Sequence, residues 1–116
     1  MDLTVSRQEG YLLAAATGRI DDSADGLFRE HLFPSLTRAD ATVVLDLSQA
    51  KFISSHGIGH LVTLAAHANS SSSRVILAAC SPFVSIVLTR CKLDAFFETA
   101  DSIDDAVRRV RGSGLL

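Results

Sequence analysis

Tryptophan is absent from this 116-residue chain, and tyrosine occurs once beside six phenylalanines. Few rings are left for stacking on nucleic-acid bases. An excess of positive charge is missing too: the net charge is −2 at pH 7 and the isoelectric point is near 6.0. Both argue against a nucleic-acid partner. The densest basic group, Arg108, Arg109 and Arg111, lies near the C-terminal end, where the dipole of a final helix favours cations. The longest apolar run, Tyr11 to Ala16, is far too short to cross a bilayer, which argues against direct membrane insertion. Met1-Asp2 begins with an acid and no apolar segment follows, so no secretory leader is read. Cys80 and Cys91 lack motif spacing and read as reduced core or near-core thiols of a cytoplasmic protein. Neither a Gly-x-Ser-x-Gly elbow nor a His-Glu-x-x-His zinc motif occurs.

What is present suits one α/β domain. Apolar residues make up 47% of the chain, enough for a single core at this length. Leu3, Val5 and Arg7 alternate with polar residues as on an edge strand, Glu9-Gly10 is a turn, and Tyr11 to Ala16 resumes as a second strand. Leu27, Phe28, His31, Leu32 and Leu36 recur at helical spacing, with Pro34 expected to end or kink the helix. Thr42 to Leu47 reads as a central strand apolar on both faces, apart from Asp46. After Ser55, Ile58, Leu61, Val62 and Ala65 form a helical stripe, and Ser70 to Ser73 reads as a solvated loop. Arg74 to Cys80 is a further strand. Ser81-Pro82 opens a helix whose buried face is Val84, Val87, Leu88 and Cys91. Leu93 to Glu98 has room for a brief last strand, and Ser102 caps a final helix. The expectation is a mixed, mainly parallel sheet with an N-terminal hairpin and about four helices. The domain spans residues 1–111, and residues 112–116 are a flexible tail.

The most informative stretch runs from Val43 to Leu61. It begins as a strand, crosses a short polar segment, and ends at Ser54-Ser55-His56-Gly57, where a helix opens. That end of a sheet is where α/β proteins build sites, and a helix start welcomes anions. A serine there can be a cap, a phosphate acceptor or a nucleophile. Adjacent residues at a helix start point in different directions, so His56 is badly placed to take a proton from Ser55. His56, His60 and His67 share a helical face, but without other ligands they read as exposed helix histidines rather than a metal site. Asp21 and Asp22 read as an acid pair at a helix N-terminus.

Three segments together resemble one family. Gly18-Arg19-Ile20-Asp21, Val43 to Ser48, and Phe52-Ile53-Ser54-Ser55-His56-Gly57-Ile58-Gly59 resemble the STAS domain, the sulfate-transporter and anti-sigma-factor-antagonist module, in its anti-sigma factor antagonist branch. The resemblance continues through Ser81-Pro82, Leu93 and Ser102 to Val110. It implies a non-enzymatic partner-switching regulator that needs no cofactor or metal. The implied partner is an anti-sigma factor and serine kinase of the histidine-kinase-like ATPase class, with weak homodimerisation left open. The implied phosphorylation site is Ser55. The implied docking residues are Asp21, Ser54, Ser55, His56, Gly57, Ile58, Gly59 and His60. Gly57 and Gly59 would let another backbone or a nucleotide phosphate approach. Asp21 matches the family's pocket acid and would line the same rim as Ser55. The motif departs from the usual Asp-Ser-Ser-Gly: Ser54 replaces the acid, and His56 replaces the second hydroxyl residue. Lys92 stands where a helix-ending glycine is common, and left-handed geometry there costs about 1 kcal/mol. The alternative role implied by the family is an accessory subunit of an ABC-type membrane transporter, docked on its ATPase.

Overall fold

The computed structural model describes residues 1–113. Six strands and four α-helices follow in the order β1 (Asp2–Gln8), β2 (Tyr11–Ile20), α1 (Ser23–His31), a 3₁₀ turn (Phe33–Leu36), β3 (Thr42–Asp46), β4 (Ala50–Ile53), α2 (Ser55–Ser70), β5 (Arg74–Ala78), α3 (Pro82–Arg90), β6 (Glu98–Ala100) and α4 (Ile103–Ser113). The sheet order is β1-β2-β3-β5-β6, with β4 paired to the far end of β2. Only β1 and β2 are antiparallel; the other pairings are parallel. The expected mainly parallel sheet with an N-terminal hairpin is what forms.

Strand periodicity sorts side chains onto two faces. Leu12, Ala14, Ala16, Val43, Leu45 and Leu77 join Phe28, Leu61, Leu64 and Val84 in the larger core under α1, α2 and α3. Their neighbours Val44, Ile76 and Ala78 face the other way and meet Ala106 of α4. Pro34 acts as expected: α1 stops at His31, and Pro34 enters the start of the 3₁₀ turn, where its missing donor is harmless.

Several expectations are corrected. The polar stretch before Ser54 contains β4, which pairs Ala50, Phe52 and Ile53 with Gly18, Arg19 and Ile20 of β2. A register shift between Gly18 and Arg19 makes that pairing fit, and Gly18 takes a φ of 94° that a side chain would resist. The last strand lies at Glu98–Ala100, at the end of the segment assigned to it. Ser70 belongs to α2. Ser73 is buried, and its hydroxyl donates to the Leu36 and Ala68 carbonyls at 3.2 and 3.1 Å. The last serine of this four-serine run is buried with its hydroxyl satisfied by those two carbonyls, which periodicity does not reveal. Cys91 is exposed rather than part of the buried face of α3, because the helix ends there. Lys92 then adopts a φ of 58°; its N–H meets the Thr89 carbonyl and the Leu93 N–H meets the Leu88 carbonyl, a Schellman ending. α4 runs through Ser113, past the boundary expected for the tail; residues 114–116 lie outside the described residues.

Candidate functional site

The corner is built on the carbonyl of Ile20. The Ser54 N–H donates to it at 2.9 Å, tying the start of α2 to the end of β2. Ser54 is extended (φ −87°, ψ 171°), and its Oγ accepts the Gly57 N–H at 3.0 Å. That is an N-cap bond, and it satisfies one of the donors a helix start leaves open. The cap role therefore falls to Ser54, the residue that replaces the usual acid.

Ser55 is left as the first residue of α2 and is exposed. Among the described residues its hydroxyl has no hydrogen-bond partner. No Ser–His pair forms either: the His56 Nδ1 lies 2.9 Å from Oδ1 of Asp22, and both side chains are about three-quarters exposed, at 76% and 77%. An exposed contact of this kind contributes under about 1 kcal/mol.

His60 sits deeper in the seam between α1 and α2. Its nitrogens lie 3.8 Å from Asp22 and 3.6 Å from Asp25, too far for hydrogen bonds. Its Nε2 is shielded from solvent without a partner. Asp25 instead takes Nε of Arg29 at 2.8 Å, one helical turn on. His67 is not a free surface imidazole: it stacks on Phe33, with ring centroids 4.2 Å apart. The half-buried placement of His60 and His67 corrects their reading as exposed histidines. Among the described residues, no group of three or more His, Cys, Asp or Glu is placed to hold a metal ion.

Asp21 follows Ile20 directly. Its Oδ1 accepts the Ser23 hydroxyl at 2.7 Å and the Ser23 N–H at 3.1 Å. These bonds hold its carboxyl below the ordinary value, with smaller help from nearby positive charges, including Arg19. Asp21 therefore does the capping work at the start of α1. Asp22, the nominal cap, makes no side-chain cap bond.

The glycines divide. Gly59 is exposed, and an added Cβ there meets nothing within 4 Å. Gly57 is buried; a Cβ there would sit 2.0 Å from the Ile20 oxygen. The backbone that approaches Gly57 is the chain's own β2, which corrects its reading as a gap for a partner. Ile58 is half-buried and packs against the larger core. Ser55, His56 and Gly59 are the predicted site residues that stand exposed.

Residues not among the predicted site residues complete the corner. Asp22, just before α1, and Asp25 within it face the histidines, and Arg29 pairs with Asp25; the four-residue spacing of Asp25 and Arg29 was a readable signal. On the other flank, Arg19 lies over the Phe52 ring, 4.1 Å from its centroid. The Phe52 ring is 5.7 Å from that of Phe83 in α3. These contacts depend on β4 and had no local signal. The larger recesses lie at the opposite end of the strands. One of about 550 Å³ is lined by Glu9, Asp40, Ser72 and Arg74 among others, and one of about 390 Å³ by Arg7, Tyr11, Ser35 and Arg38 among others. None of the predicted site residues lines either.

Solved structures share this architecture. The anti-sigma factor antagonist SpoIIAA in its unphosphorylated form is 20% identical, covers 96% of this chain and 97% of its own, and superposes with a TM-score of 0.77. A provisionally assigned anti-sigma factor antagonist from Thermotoga maritima is 22% identical over 94% of each chain, with a TM-score of 0.83. A serine-to-glutamate variant of RsbS from Moorella thermoacetica is 19% identical over the whole of both chains, with a TM-score of 0.82. At these identities the likeness is one of fold. The sequence model of the STAS domain matches residues 2–106, from the first strand into the first turn of α4, and by that match the chain belongs to the STAS domain family.

Proposed function

We propose that this chain is an anti-sigma factor antagonist that works by partner switching. Unmodified, it binds an anti-sigma factor of the histidine-kinase-like ATPase class through the corner around Ser55. That partner, acting as an ATP-dependent serine kinase, phosphorylates Ser55 and releases it. The corner is a docking surface and not a catalytic centre, and the work is done in the cytoplasm, where such a kinase meets it. The observation that carries the reading is the division of labour between the paired serines. Ser54 caps α2, so the exposed Ser55 hydroxyl is free to accept a phosphoryl group without loss of a structural bond.

The physics of release follows from that position. Phosphorylation adds about −1.5 to −2 charges at neutral pH. The N-terminus of α2 tolerates them, by about 0.3–1 kcal/mol, so the fold survives. A partner surface packed over Ser55 must desolvate the dianion, and each 1.4 kcal/mol of penalty is about tenfold in affinity. The test is a pull-down with the unmodified protein and with Ser55→Asp, joined to phosphopeptide mass spectrometry after incubation with the captured kinase and ATP. The expected result is a kinase held by the first bait, much less by the second, and phosphate on Ser55. Equal capture by both baits, or no phosphate on Ser55, refutes the switch. Capture of an ABC-type ATPase instead would assign the accessory-subunit role.

A further inference from the structure

Large apolar side chains stand exposed on the flank of the corner away from the histidines. Phe83 and Ile86 of α3 are 43% and 53% exposed, and their three-residue spacing puts them on one helical face. The helix that carries them packs against β4, which leads into the Ser55 corner. The Ser81 hydroxyl, which caps α3, donates to the Ala50 carbonyl of β4 at 2.7 Å. The Phe83 ring packs on Phe52, whose other neighbour is the Arg19 guanidinium. Arg19 and Phe52 are register partners on β2 and β4. Each is followed within two residues by a group that positions Ser55: the Ile20 carbonyl and the Ser54 N–H bonded to it.

The two flanks also differ in charge. Asp21, Asp22 and Asp25 lie on the α1 side, with Arg29 answering Asp25 alone. Arg19 is exposed on the β4 side and forms no ion pair among the described residues, though its charge helps to hold the Asp21 carboxyl below its ordinary value. Ser55 stands between them. A partner that covers Ser55 therefore meets a cationic, aromatic surface on one flank and carboxylates on the other.

We propose that the docking surface extends across this flank, with Phe83 and Ile86 receiving an apolar side chain of the same kinase-type partner and Arg19 pairing with a carboxylate beside it. This rests on the antagonist reading, and it adds which face of the partner fits. The Phe83 ring rests on Phe52, itself backed by the Arg19 guanidinium, so it loses less freedom on binding than an unsupported ring, which is the character of an interface anchor.

The test is the affinity of the unmodified full chain for the purified kinase captured in the Ser55 pull-down, measured by calorimetry for wild type, Phe83→Ala, Ile86→Ala and Arg19→Glu. Ile86 is the more exposed apolar residue, so its variant reports binding even where Phe83→Ala alters folding. Circular dichroism melts verify that each variant is folded. Weakening by about tenfold or more in Phe83→Ala or Ile86→Ala, together with Arg19→Glu, is the expected result. Val5→Ala, which removes an exposed apolar residue from β1, is expected to leave affinity unchanged. If wild type binds, Ser55→Asp releases, and these α3 and β2 variants bind within about twofold of wild type, the extended surface is wrong and the switch stands. If wild type captures no kinase, both fall. Sedimentation showing that the α3 variants only dissolve a dimer of this chain would also overturn the proposal.

Discussion

Gly57→Ala is the sharpest perturbation the corner allows. The ideal Cβ of an alanine there would stand 2.0 Å from the Ile20 oxygen and 2.7 Å from its carbonyl carbon. Neither atom can yield as a flexible side chain would, because both are backbone. Real Cβ atoms stay beyond 3.0 Å, so α2 and β2 must separate by at least 1 Å. That displacement acts on the 2.9 Å bond from the Ser54 N–H to the same oxygen. Overpacking of this kind costs about 1–3 kcal/mol, and loss of the hydrogen bond adds about 0.5–1.5 kcal/mol. Alanine returns about 1 kcal/mol as the better helix former, so the net destabilisation is about 0.5–3.5 kcal/mol.

The internal control is Gly59→Ala, two residues further along the same helix. Its Cβ meets nothing within 4 Å, so only the propensity gain remains, and the variant should be more stable by up to about 1 kcal/mol. Urea denaturation of the two variants beside wild type, read by circular dichroism, measures both. The expected midpoints move in opposite directions. A Gly57→Ala protein at least as stable as wild type would refute the close approach of α2 to β2 and the account of Ser54 and Ser55 built on it.

Two further predictions test the corner and the far side of the sheet. Ser54→Ala removes the cap bond to Gly57 and should destabilise by about 0.5–2 kcal/mol, whereas Ser55→Ala should stay within about 0.5 kcal/mol of wild type; denaturant titration separates them, and equal losses would mean that Ser55 shares the cap. Glu98 accepts the Arg74 guanidinium, with Nε to Oε1 at 2.6 Å, and this bond holds its carboxyl below the ordinary 4.5 despite partial burial. A lowered folded-state value means that the contribution is complete above the unfolded value and is lost as pH falls through the folded one. Stability measured from neutral to acid pH should therefore fall less steeply below about pH 4.5 in Glu98→Gln than in wild type; identical acid limbs would contradict the pairing.

How much of this was legible depends on where each interaction gets its specificity. Elements whose signal is periodic or positional stood in the sequence: the alternating hairpin, the apolar run of β3, the Ser81-Pro82 helix start, and the Ser54-Ser55 corner. The family resemblance added a role for Ser55 that no periodicity carries. β4 was hidden because a four-residue strand with an exposed lysine at its second position has almost no pattern of its own; its partner, the end of β2, supplies the pairing. With β4 unseen, the stack of Arg19 on Phe52 and Phe52 on Phe83 could not be anticipated, since it joins three separate elements. Gly57 shows the same limit from the other direction. A glycine near a serine at a helix start reads equally well as room for a visitor or as room for the chain itself, and only the Ile20 carbonyl decides between them. That decision bears on function. If the space at Gly57 is already filled, a partner has to engage the outer surface of α2, where Ser55, His56 and Gly59 are exposed. On the proposed switch, the Ser55 hydroxyl then lies at the front of the contact, where a phosphate would do the most to break it.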